Sequence, residues 1–244
     1  MEALMIDTRA VMRSLPLVAS VLGRKYGVKV EMGGTDAYTD GTVIRLPSLP
    51  GDVPDTLMAM ARGYLDHEAG HVRDTDFQAL KAASLTPLEK HVWNTLEDWR
   101  VEHKLASIFP GCRQNFDWLI AHVFGTEVQD EPAQPAAIIL NWLLLEVRSW
   151  DVQALSRRRD NLAGQVDMAF PGLRPKIERV LKSVRTRCRS TQDGIDYARE
   201  IVRVLDQYAN STERPAAPDK DVSLEAGTRL NSSHLKLSRM PSSA

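Results

Sequence analysis

Two cysteines in 244 residues, Cys112 and Cys188, are too few to build a disulfide framework, and they suit a reducing compartment. No charge of one sign dominates. Thirty-one Lys and Arg stand against 32 Asp and Glu, which excludes a strongly cationic nucleic-acid coat and a wholly acidic disordered chain. Long apolar runs are also missing. The longest, Ala136 to Leu145, is broken by Asn141 and falls well short of the roughly 20 residues a membrane span needs. The N-terminus carries Glu2 and Asp7 where a signal peptide would be basic, so a cytoplasmic protein with no membrane partner is expected. Aromatics make up only 6%, and none lies among the Lys and Arg of 157–159 or 174–189, where a single-strand-binding surface would need stacking rings.

What is present is an ordinary globular composition, 43% apolar and 26% charged, enough to bury a core without a metal or a cross-link. Residues 8–25 read as an amphipathic helix. Val28 to Met32 alternates as a strand, and Thr42 to Leu46 follows the turn signal Thr39-Asp40-Gly41. A helix is expected from Asp52 to about Val72. Thr86-Pro87-Leu88-Glu89 is a capping box that opens another helix, which runs to Ile108 and stops at Pro110-Gly111. Further helices are expected over 115–125, 134–150, 152–164, 174–187 and 192–209, with a flexible tail over 211–244. The expected fold is thus mostly helical α+β. One domain spans 1–210, and its C-terminal half, about 115–210, is all helix.

The sharpest chemical signal is His67-Glu68-Ala69-Gly70-His71 on the first long helix. Spacing i, i+4 sets both imidazoles on one helical face, where they can grip a single cation. Glu68, next to the first histidine, is placed to act as the general base toward a water that the metal activates. Zinc is the expected ion, because imidazole and carboxylate suit it. The bland alternative is a helix with two surface histidines and a solvated glutamate.

For the third ligand, Asp74 and Phe77 do not fit a metzincin pattern, which leaves the carboxylates of Glu97-Asp98-Trp-Arg-Val-Glu102. Glu97 shares a stripe with Trp93, Val101 and Leu105. Asp98 shares one with His91, Asn94, Thr95 and Glu102. A carboxylate on an apolar stripe must be paired, protonated or metal-bound, so Glu97 is the expected third ligand. The competing reading pairs Glu97 with Arg100 or another cation across the core. Asp76 is a candidate to orient a ligand imidazole, or simply caps a turn. His91, His103, Arg100 and Tyr64 are candidates to stabilise an oxyanion, and Asp98 is a further candidate at the site.

Tyr64 to His71, Thr75-Asp76-Phe77, Asn94 to Glu102 and Phe109-Pro-Gly111 together resemble the N-terminal region of CobT-like proteins, including relatives in phages and mobile elements. The resemblance covers roughly residues 50–120. It implies a zincin-like metallopeptidase domain of the gluzincin type acting on a peptide or protein substrate. It also implies a MoxR-type AAA+ ATPase as partner and, in many relatives, a following von Willebrand factor A domain. The DxSxS motif of that domain is not matched, since Asp221-Val-Ser223 is followed by Leu-Glu. An interaction module on the same fold is the alternative to an enzyme. Residues 151–190 hold ten Lys or Arg against four Asp or Glu, which suits solvated helix faces or an acidic partner. Nucleic acid is the weakest of these readings.

Overall fold

The computed structural model describes residues 8–48, 55–125 and 135–211. Expectations that fall elsewhere, including the Asp52 cap and the tail beyond Ser211, lie outside the described residues. Helix α1 (Thr8–Leu22) leads into strand β1 (Lys29–Met32), then β2 (Tyr38–Thr39) and β3 (Val43–Leu46). The central β3 pairs in parallel with β1, Val30 opposite Ile44, and antiparallel with β2, Thr39 opposite Ile44. Ile44 and Leu46 point into the core from one face of β3, while Arg45 on the other face binds Glu31 at 3.1 Å. The turn before β3 is held by the Asp40 carboxylate, which accepts from the Thr42 and Val43 amides. Gly41 takes a φ of +87°, and a Cβ there would stand 2.9 Å from the Phe77 ring. Conformation and space both demand glycine at this position.

Nine helices are found among the described residues. After α1 come α2 (Asp55–Asp74), α3 (Phe77–Ala83), α4 (Pro87–Ile108), α5 (Pro110–Phe124) and α6 (Pro135–Ser149). A 3-10 turn at Gln153–Leu155 then leads to α7 (Ser156–Ala169), α8 (Leu173–Arg187) and α9 (Thr191–Asn210). The fold is mostly helical α+β, as its sequence predicts. Two short elements differ from expectation. β2 is too short to show alternation. α3 is a seven-residue helix started by the Asp76 side chain, which accepts from the Gln78 and Ala79 amides. Pro110 ends one helix and opens the next, because the first turn of a helix needs no N–H from it.

Helices α2 and α4 form the centre. Every residue from Leu65 to His71 on α2 is buried, as is every residue from Thr95 to Glu102 on α4. α2 lies between the sheet, α1, α4 and α5, and α4 is enclosed by α2, α5, α6 and α9. The capping box starts α4 as its sequence predicts, with reciprocal Thr86 and Glu89 bonds. A second box at Ser190 and Asp193 starts α9. Gly63 lets α5 approach α2 closely, since a Cβ there would meet Leu119 at 2.9 Å.

Candidate metal centre

Within the continuously buried stretches 65–71 of α2 and 95–102 of α4 the polar residues reach no solvent, so each must find a partner within the protein. His67, Glu68 and His71 come from α2; Glu97, Asp98, Arg100 and Glu102 come from α4. The two imidazoles stand edge to face with centroids 4.8 Å apart. Nε2 of His71 lies 3.2 Å from Asp98 Oδ1, and Nε2 of His67 lies 4.0 Å from the same oxygen. All three atoms fall within 4.8 Å of one another. None of them has a hydrogen-bond partner, although all are buried.

The other ring nitrogens show why these Nε2 atoms are bare. His67 Nδ1 lies 2.7 Å from Glu102 Oε1. Glu102 is paired through its second oxygen with Arg148, so its carboxylate only accepts and the Nδ1 carries the proton. His71 Nδ1 lies 2.9 Å from the Thr75 hydroxyl. That hydroxyl spends its one proton on Glu97 Oε1 at 2.9 Å, so it accepts from His71. Both histidines therefore carry a proton on Nδ1, and their Nε2 atoms face Asp98. Such orientation of ligand imidazoles by hydrogen-bond partners is the usual support of a metal site.

Burial raises the Asp98 carboxyl, but the His71 contact, His67 and the Arg148 guanidinium outweigh it and hold the group at about 2. Arg148 Nη2 binds Asp98 Oδ2 at 3.0 Å, leaving Oδ1 facing the imidazoles. Two imidazole nitrogens and a carboxylate oxygen thus converge in a buried pocket. A divalent cation could satisfy all three atoms at once. Tetrahedral zinc with bonds of 2.0–2.1 Å sets its donors about 3.3 Å apart; His71 and Asp98 stand at 3.2 Å, and His67, at 4.0 Å from the same oxygen, would have to draw in. Glu68 sits beside them, 1% exposed, with Oε1 unpartnered. Burial pushes its carboxyl up to about 8; His67 opposes the rise and Asp98 adds to it.

Glu97, the expected third ligand, is engaged by other partners. Arg100 grips both its oxygens, at 2.6 and 2.8 Å, and Thr75 and Thr191 donate to Oε1. Its carboxylate is spent on that pairing, the competing reading of the same stripe. Asp98 takes the position beside the imidazoles. Arg100 is buried in this pair and also donates to the Asp74 carbonyl at 2.8 Å, so it is not placed to meet an oxyanion. Asp76 caps α3, and its neighbour Thr75 is the residue that touches the His71 ring. His103 is exposed, with Nδ1 2.9 Å from Asp151. His91 and Tyr64 are partly buried; burial lowers the first, against the pull of Asp98, and raises the second.

The sequence reading gave Thr75 and Arg148 no role in the network, and it weighed Glu102 only as one of the α4 carboxylates. Glu102 carried a signal, being one helical turn beyond Asp98. Arg148 carried another, as a lone cation on a helix that is otherwise apolar nearly all round. Beyond Glu102 and Arg148, toward Trp99 and Asp151, lies a cavity of about 10 Å³, room for no more than a single water.

Fold and site together define a mostly helical α+β protein with a buried His–His–Asp group able to hold a metal ion. The chain matches the family described as cobalamin biosynthesis protein CobT over residues 8–234, and it belongs to that family. No curated protein and no solved structure matches it. No described helix is long and apolar enough to cross a membrane.

Proposed function

We propose that the chain is a zinc-dependent hydrolase of zincin type acting on peptide bonds, with His67, His71 and Asp98 holding the ion and Glu68 as general base. The observation that carries this reading is the convergence of three buried, unpartnered ligand atoms beside a second buried carboxylate, that of Glu68. Zinc bound there would polarise a carbonyl and acidify water. Glu68 would take the proton of the attacking water and return it to the leaving amine. A divalent cation beside Glu68 would favour its ionised form, which is the form a base needs. His67 and His71 keep their orientation through Glu102 and Thr75, and Asp98 supplies the anionic ligand.

The test pairs metal content with turnover. Wild-type protein purified without chelator is assayed for zinc and, because the family description concerns cobalamin, for cobalt. It is then screened against a peptide library beside Glu68→Gln. The reading expects bound metal in both proteins and cleavage by wild type alone. Cleavage by Glu68→Gln would overturn the assignment of the base.

One observation favours a second reading. His67, Glu68, His71 and Asp98 are each no more than 4% exposed. A site so enclosed suits a metal that stabilises an interaction module, working beside a MoxR-type AAA+ ATPase, as well as one that turns over substrate. Retained metal, no cleavage in any library, and capture of such an ATPase by both wild type and Glu68→Gln would select this reading.

A further inference from the structure

Arg148 is the only positive charge on α6 and is 2% exposed, deep beneath α4. Its guanidinium reaches two carboxylates one helical turn apart. Nη2 binds Asp98 Oδ2 at 3.0 Å and Nη1 binds Glu102 Oε2. Each carboxylate is thereby split between two tasks. Glu102 turns its remaining oxygen to His67 at 2.7 Å. Asp98 turns its remaining oxygen to the two bare Nε2 atoms. A planar guanidinium can span both carboxylates at once, whereas an ammonium is a point charge that holds one well.

This division bears on which ion fits. Ions such as manganese and calcium favour oxygen donors and more than four ligands, while zinc is satisfied by few donors rich in nitrogen. We propose that Arg148 sets the metal preference of the site: by occupying Asp98 Oδ2 it leaves one carboxylate oxygen for the ion and excludes cations that need both. Arg148 is a positioning residue in this account, since it acts through Asp98 and does not meet the ion. The inference rests on the metal-site reading and adds a selectivity to it.

The experiment compares wild type with Arg148→Lys. Each is stripped of metal, equilibrated with mixed Zn2+ and Mn2+, and the bound ratio is read by plasma mass spectrometry. Loss of an outer-shell partner of this kind changes metal affinity by about 10–100-fold; in Arg148→Lys zinc is expected to lose more than manganese, so the bound Zn2+/Mn2+ ratio falls. In parallel, wild-type protein is loaded with Co2+ as a probe. The intense visible bands of low-coordinate cobalt are expected, and the weak bands of six-coordinate cobalt would overturn the proposal with no variant needed. An unchanged Zn2+/Mn2+ ratio in a folded Arg148→Lys protein would also overturn it while leaving the metal site standing. Failure of wild type to bind any ion would remove both.

Discussion

The Thr75 hydroxyl accepts from Nδ1 of His71 at 2.9 Å and passes its own proton to Glu97. A residue just past the end of α2 thereby fixes the tautomer of a histidine within it. Thr75→Val keeps the shape but leaves the Nδ1 proton without an acceptor. Zinc affinity is expected to fall by about 10–100-fold, with Thr75→Ser restoring it. Competition against a chromogenic chelator measures both; equal affinities in wild type and Thr75→Val would remove Thr75 from the site.

Glu97 and Asp98 are neighbours in sequence with opposite duties, and they separate by experiment. Glu97→Ala leaves Arg100 buried without its partner, which should cost about 3–5 kcal/mol of stability in urea unfolding. Asp98→Asn should instead lose metal. A protein destabilised by the second substitution and stripped of metal by the first would reverse the assignment.

Glu68 gives the ion-free protein a distinctive pH response. Its folded pKa of about 8 lies above the ordinary 4.5. Between those values the folded chain binds more protons than the unfolded one, so stability falls as pH rises through that window. Glu68→Gln removes this slope and should be the more stable protein at the alkaline end. Urea midpoints measured across the window in the presence of chelator decide it; parallel curves for the two proteins would refute the buried, unpaired carboxyl.

Gly63 lets α5 pack closely against α2. A methyl there would stand 2.9 Å from both Cβ and Cδ2 of Leu119. Gly63→Ala is expected to cost about 1–3 kcal/mol through overpacking, despite the better helix propensity of alanine. A neutral or stabilising result in denaturant melts would show that α5 is free to move away.

These contrasts show what a single sequence can and cannot carry. The two histidines were legible because a period of 3.6 places i and i+4 on one face whatever surrounds the helix. The burial of Glu97 was legible too, since Trp93, Val101 and Leu105 share its stripe and all are buried. Which partner satisfies it was not, because Arg100 and an ion answer the same electrostatic demand. The polar stripe of Asp98 and Glu102 resembled a solvated face for a physical reason. Periodicity reports polarity, and α4 is buried all round over 95–102, so the polar stripe there faces other polar groups instead of water. Arg148 lies 50 residues from Asp98, a contact that only the tertiary packing of α6 creates.

The most direct test of the account is metal content, by plasma mass spectrometry, in wild type, His71→Ala, Asp98→Ala and Glu97→Gln, each purified without chelator or nickel resin and offered zinc. The account predicts about one ion per chain in wild type and in Glu97→Gln, whose amide oxygen still accepts from Thr75, and none in His71→Ala or Asp98→Ala. Metal retained by Asp98→Ala and lost from Glu97→Gln, or no metal in wild type, would contradict it.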